Sequence, residues 1–137
     1  MSESRAAGRV LVRPATPEDI ASTALAYNMR SIPTMKAWVG EVDGVRVGVG
    51  GIWLLAGRWI LFIDITAHGR ALLGKNLYVR AALVRAAVTA LREAKRIGIR
   101  FVYASAEQPY PRSEDLLLKL GFAVDHRAPG WYRWSSP

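Results

Sequence analysis

A change of period sets the outline of this chain. Side chains from Met35 to Thr66 follow a repeat of two, those from Lys75 to Ile97 recur at helical spacing, and an apolar run resumes at Ile99. A strand, a long helix and a second mostly apolar strand in that order share one sheet as a parallel pair joined by a right-handed crossover. The spacing predicts a helix over Lys75–Ile97 with Leu77, Ala81, Val84, Val88 and Leu91 as its core stripe. Arg85, Thr89, Arg92 and Arg96 form a separate polar stripe, and Gly98 ends the helix. Ile99–Ala106 (IRFVYASA) is then a strand buried beside its parallel neighbour.

Upstream, Lys36–Val42 and Val45–Leu55 flank Asp43-Gly44, the dipeptide suited to a type I′ hairpin turn. A second turn at Ala56-Gly57-Arg58 leads into the strand Trp59–Thr66, completing an antiparallel meander. Six of the twelve glycines lie between Gly40 and Gly57. Gly48, Gly50 and Gly51 inside a strand point to a bulge, or to a surface that another backbone or a ligand approaches closely. Before the meander, Arg9–Arg13 alternates as a first strand. Thr16-Pro17-Glu18-Asp19 opens a helix with Thr16 as N-cap and Asp19 as the capping-box acid, directing Ile20, Ala24 and Tyr27 inward until Pro33.

Downstream of the Pro109-Tyr110-Pro111 break, Ser113 caps a two-turn helix whose leucine-rich body stops at Gly121. Phe122–His126 and Trp131–Ser135 close the chain as strands joined across Pro129-Gly130. The expected order is β-α-β-β-β-α-β-α-β-β. This is an α/β (α+β) chain with a mixed central sheet of about seven strands flanked by helices. At 137 residues, without repeats or linkers, it is expected to form a single domain over 1–137, with 1–8 disordered.

Composition removes several chemistries. Without cysteine there is no thiol catalysis, disulfide or Cys-based zinc site, and His68 and His126 alone make no metal centre. The N-terminus lacks the apolar core of a signal peptide, and the run Val47–Gly57 is too short and glycine-laced to span a membrane. The chain therefore reads as soluble and cytoplasmic. A formal charge of +8 fits nucleic acid, an acidic protein surface, a phosphorylated cofactor, or a solvated basic surface with no partner.

The stretch from Asp64 to Gly98 concentrates the chemistry. An apolar strand hands over, through a basic loop containing glycine, to a helix N-terminus. There free N–H groups and roughly half a positive charge of helix dipole favour an anion. Arg70, Lys75 and Asn76 are the candidates for contacting that anion, and His68 either reaches it or is solvated. Asp64, an acid in an apolar strand, is either hydrogen-bonded or paired, or a functional group with a raised pKa. Asp64 or Glu107 is a candidate base, and Ser105 lies at the end of the facing strand. Each has a structural alternative, Glu107 as an exposed loop acid and Ser105 as a small strand-end residue.

VRPATPEDI (Val12–Ile20), the meander around Asp43-Gly44, and SEDLLLKLGFAV (Ser113–Val124) together resemble the GCN5-related N-acetyltransferase (GNAT) family over essentially the whole length. The resemblance implies an acyl-CoA N-acyltransferase-like fold in which the third meander strand and the next strand splay apart. The gap admits the pantetheine arm of acetyl-CoA, with strand N–H groups from Asp64 to Thr66, Ile65 and Thr66 among them, as donors. The loop before the long helix would bind the pyrophosphate through Arg70, Gly74, Lys75 and Asn76. The resemblance is to an atypical member with a degenerate loop. Arg70 is followed by Ala71, Leu72 and Leu73, with only Gly74 near a required glycine, and YVRAAL (Tyr78–Leu83) has none. The family's closing-helix tyrosine is replaced by Leu117, and its asparagine by Tyr110.

The resemblance implies an acetyl-CoA-dependent N-acetyltransferase acting on an amine of a small molecule or protein, with no metal. The alternative is a catalytically inactive structural or binding module of this fold, such as occurs in phage particles, with a homodimer or assembly partner. A nucleic-acid binder acting through the basic helix ranks third, and no membrane partner is expected.

Overall fold

The computed structural model describes residues 9–23, 34–105 and 113–137. Ala24, Tyr27, Glu107 and Tyr110 lie outside them. The chain runs β1 (Val10–Pro14), α1 (Pro17–Ala21), β2 (Met35–Val42), β3 (Val45–Leu55), β4 (Arg58–Ile65), α2 (Ala67–Leu72), α3 (Leu77–Arg96), β5 (Phe101–Ser105), α4 (Ser113–Lys119), β6 (Ala123–Val124) and β7 (Trp131–Ser135). The strands form one seven-stranded sheet in the order β1-β2-β3-β4-β5-β7-β6. β4 and β5 pair in parallel through the crossover helix α3, and the other neighbours pair antiparallel.

The Asp43-Gly44 turn has the predicted chemistry, and the turn expected at Ala56-Gly57 takes the same form. Asp43 and Gly44 sit at φ 52° and 81°, Ala56 and Gly57 at 50° and 80°, the paired positive angles of a type I′ turn. The last strand pair is shorter than expected, with β6 reduced to Ala123–Val124. The larger difference lies between β4 and α3. In place of an open loop the chain forms α2, capped by Thr66, and α3 begins at Leu77 with Asn76 as its cap.

The face that α3 buries also differs from the expected stripe. Leu91 is buried, but Leu77 is 89% exposed and Ala81, Val84 and Val88 are only partly covered. The helix instead buries Val79, Ala82, Leu83, Ala86, Ala87, Ala90 and Ala94. The cause is the glycine floor of β2 and β3. A Cβ built on Gly40 would lie 2.9 Å from the Ala82 carbonyl oxygen, and one on Gly50 would lie 3.1 Å from Ala86 Cβ. Small residues face small residues there, so the helix backbone approaches more closely than valine or leucine would allow. Hydrophobicity ranking alone selects the larger side chains, and here proximity selects the alanines.

On the opposite face, Val39, Val49 and Phe62 form a second cluster with Ile20, Met35 and Trp53. Asp19 ties α1 to this side. Its carboxylate, 2% exposed, accepts two hydrogen bonds from the Arg13 guanidinium at 2.8 and 3.1 Å and one from Arg46 at 3.2 Å. It also accepts from the Thr16 amide and hydroxyl. The Arg13 bonds foremost, despite burial, hold the Asp19 carboxyl well below the usual carboxylate range. The capping acid legible in the sequence is therefore also the centre of a buried ion cluster joining α1, β1 and β3.

Candidate functional site

The site begins with how β4 meets β5. Their parallel ladder holds one register pair, Ile60 with Tyr103. Beyond it β4 continues to Ile65 and β5 to Ser105 with no further pairing, so the two strands part toward their C-terminal ends. On its other side β4 stays paired with β3 along its whole length, Arg58 opposite Leu55 through Ile65 opposite Gly48. The Thr66 amide donates to the Val47 carbonyl at 3.0 Å, which fixes the phase of that ladder. Alternation then turns the amides of Asp64 and Phe62 toward β3, and those of Ile63 and Ile65 toward the gap. A gap of this kind offers strand donors to an extended ligand, as a missing strand would.

One of those two donors is already engaged. The Ile65 amide donates to Oδ1 of Asp64, the residue before it, at 2.9 Å. Asp64 is half-buried, on the face it shares with Phe62 and opposite α3, and its carboxylate bends back along the strand to reach this amide. The pairing of Ile60 with Tyr103 puts Ser105, half-buried at the end of β5, on that same face. Asp64 and Ser105 therefore flank the opening from its two strands.

Past Ile65 the chain turns sharply. Thr66, buried, caps α2 by accepting the Gly69 amide at 3.0 Å, and its hydroxyl donates to the Arg46 carbonyl at 3.0 Å. Gly69 packs so tightly on β3 that a Cβ there would meet the Val47 carbonyl oxygen at 2.1 Å. Gly74, at φ 86°, provides the turn into α3. Asn76 Oδ1 accepts the Tyr78 amide at 2.9 Å, so one first-turn donor of α3 is satisfied internally. His68, Arg70 and Lys75 are exposed. Ile65 and Arg70 share an open groove of about 550 Å³ with Ser22, Thr23, Ala67 and Ala71.

The candidates thus fall into three places. Asp64, Ile65 and Ser105 border the gap. Thr66, His68 and Arg70 belong to α2 or its cap, and Gly74, Lys75 and Asn76 form the turn into α3. Glu107 lies outside the described residues. The groove wall from Ser22 and Thr23 has no signal in the sequence beyond the end of a capped helix. α2 does have one, since Thr66 is a good N-cap residue and stands directly before Ala67, the first residue of that helix. Leu117, at the position of the resembled family's tyrosine, is 3% exposed inside the main core.

The gap fits the slender arm of a thioester cofactor, because it presents strand amides without a competing strand. The span between β4 and α3 is not a glycine-rich cradle: α2 fills it, and Arg70 and Lys75 stand exposed along it. Among the described residues no three His, Asp or Glu side chains gather as a metal site. None of the described helices is long and apolar enough to cross a membrane.

No family model and no curated protein matches the sequence. Solved structures do match its fold. An N-acetyltransferase from Staphylococcus aureus Mu50 superposes with a TM-score of 0.66 at 16% identity, over 94% of this chain and 99% of that one. A putative acetyltransferase from Salmonella typhimurium, solved with its cofactor acetyl-CoA, gives 0.66 at 16% over 93% and 94%. The ribosomal-protein-S18-alanine N-acetyltransferase of Escherichia coli gives 0.59 at 11% over 93% and 94%. The mixed seven-stranded sheet is the acyl-CoA N-acyltransferase fold.

Proposed function

We propose that this chain, built on the fold of the GCN5-related N-acetyltransferases, is an N-acyltransferase that takes its acyl group from acetyl-CoA and passes it to an amine. The parting of β4 from β5 after Ile60 and Tyr103 carries this reading. Acetyl-CoA supplies an activated acyl carbonyl. The Ile63 and Ile65 amides are placed to hold the arm and donate to the carbonyl oxygen, which gains negative charge as an amine attacks. Asp64, on the face opposite α3, receives the amine's proton directly or through water, with Ser105 across the opening; Glu107 is the second candidate base. Leu117 has no proton to give, so the leaving thiolate is protonated from solvent. Arg70 and Lys75, with His68 beside them, contact the phosphates through charge-assisted bonds, which are about twice as strong as neutral ones. Gly74 and Asn76 shape the turn that presents Lys75.

One observation favours a second reading. The carboxylate of Asp64 already occupies the Ile65 amide, and with Asn76 on the Tyr78 amide both ends of the ligand path carry internal caps. A protein of this fold that binds partners without transferring acyl groups, as a structural module of a phage particle or other assembly would, has no need of open donors. The acceptor in the first reading is a small-molecule or protein amine.

Thermal melting with acetyl-CoA separates the two. At about 100 times Kd the ligand stabilises the fold by roughly 2.7 kcal/mol, a rise in Tm on the order of 9 °C for a chain of this size. No rise at millimolar acetyl-CoA would leave the non-catalytic module as the reading.

A further inference from the structure

The β5 and β7 strands present a second surface, away from the gap. Val102, Ala104, Tyr132 and Trp134 are buried on the α3 side, where Leu116 and Leu117 of α4 join the same core. Phe101, Tyr103 and Arg133 point the other way and stay partly exposed or exposed; Trp131, opposite Ser105, lies at the gap end of the same face. The register places Tyr103 opposite Arg133 on one side and beside Ile60 on the other, so Arg58, two residues before Ile60, shares this face. No described helix covers it.

Its chemistry is aromatic and cationic. The Arg58 guanidinium lies 5.1 Å over the Tyr103 ring, and Arg133 and Arg100 lie 4.8 and 5.6 Å from the centre of Phe101. None of the three arginines forms an ion pair among the described residues. A hollow of about 340 Å³ opens at the end of the face, between the Gly57–Trp59 turn and the Ile97–Phe101 segment.

We propose that this open face of β4, β5 and β7 binds single-stranded nucleic acid. Rings on neighbouring positions of an open sheet offer stacking surfaces to unpaired bases, and the unpaired guanidiniums offer charge to the phosphates between them. Duplex bases are stacked on one another and cannot use the rings. An acidic peptide would satisfy the arginines and leave the rings idle. A second copy of the chain packed face to face would bring the Arg58 and Arg133 patch against a like-charged one, on a chain whose formal charge is already +8. The surface lies at the N-terminal ends of β4 and β5, while the acyl gap opens at their C-terminal ends, so neither proposal depends on the other.

Anisotropy with the full chain and a labelled oligo-dT of about twelve nucleotides tests this, with a hairpin duplex as control. The single strand is expected to bind more tightly than the duplex, with affinity falling as salt rises. Replacing both rings, Phe101→Leu with Tyr103→Leu, keeps the face apolar and is expected to weaken single-strand binding at least about fivefold. Arg58→Gln with Arg133→Gln is expected to flatten the salt dependence, while Arg85→Gln with Arg92→Gln on α3 changes neither ring-dependent affinity nor strand preference. Thermal melts establish that each variant folds. Equal binding of duplex, loss that follows the α3 arginines rather than the rings, or no binding at low salt would each overturn the proposal. So would a homodimer that the ring substitutions dissolve.

Discussion

Asp64 and Ile65 are adjacent in the chain, and the carboxylate of the first accepts the amide of the second at 2.9 Å on the side of β4 that faces the gap. A strand amide in an open ladder would otherwise be available to a ligand, so the two uses compete. In Asp64→Ala the amide is released. If the gap holds the arm of acetyl-CoA, affinity rises about five- to tenfold, the worth of one net hydrogen bond of roughly 1 kcal/mol. Turnover falls in the same variant, because the proposed proton acceptor is gone. Calorimetric affinity and kcat measured together check this, and unchanged affinity would show that no ligand uses Ile65.

One substitution on α3 and one on the strand beneath it distinguish the observed helix face from the one hydrophobicity alone suggests. Leu77, 89% exposed, tolerates Leu77→Ala within about 0.5 kcal/mol. Gly48→Ala puts a methyl 2.3 Å from Leu83 Cδ2 and 2.6 Å from the Asp64 carbonyl oxygen, and destabilises by about 1–3 kcal/mol or more. Urea unfolding of both variants reads the difference. A Leu77→Ala loss of several kcal/mol would place the helix in the other rotation.

These cases show what a sequence of this kind discloses. The meander strands, the type I′ turn at Asp43-Gly44 and the crossover were legible because each rests on local pattern: alternation, an Asp-Gly dipeptide, and a helix between two apolar strands. The rotation of α3 was not, because it depends on glycines far back in the chain: Gly40 of β2 meets Ala82 and Gly50 of β3 meets Ala86, contacts that no local pattern records. The role of Asp19 was half legible: its capping position is local, but Arg46 reaches it from another strand. At the candidate site, Asp64 stood out as an acid in an apolar strand. Which amide it would bind, and that α2 would fill the loop, depended on where the gap opened.

Stability should depend on acid pH through two carboxylates. Asp19 is held well below the usual range by Arg13, and Glu93 is held down to about 2 by Arg96 and Lys36. Both folded values lie below the unfolded values near 4, so their contribution is complete above that range and is lost as pH falls through the folded values. Tm is expected to hold steady from neutral pH to about 5 and to fall between about 4 and 2. Asp19→Asn should lower neutral stability by about 3 kcal/mol, the low end for breaking a buried pair, because Arg13 and Arg46 are 36% and 40% exposed. It should also flatten the acid limb. A wild-type acid limb retained in Asp19→Asn would assign it to other groups.

Ala56 holds a left-handed conformation, φ 50°, at a turn position where asparagine is favoured. Ala56→Asn converts the turn to Asn-Gly and should stabilise the chain by about 0.5–1 kcal/mol, since the left-handed region costs an alanine roughly 1–2 kcal/mol. Chemical denaturation reads this directly, and a destabilised variant would mean that the turn is not type I′ in solution.

The central claim, that the opening between β4 and β5 receives the arm of acetyl-CoA, is tested most directly at the amides that line it. In a ¹⁵N-labelled sample titrated with acetyl-CoA, the Ile63 and Ile65 resonances should shift and gain protection from hydrogen exchange, with Arg70 and Lys75 responding at the phosphate end. Saturating ligand that leaves Ile63 and Ile65 unmoved would contradict the claim, whatever it does elsewhere on the surface.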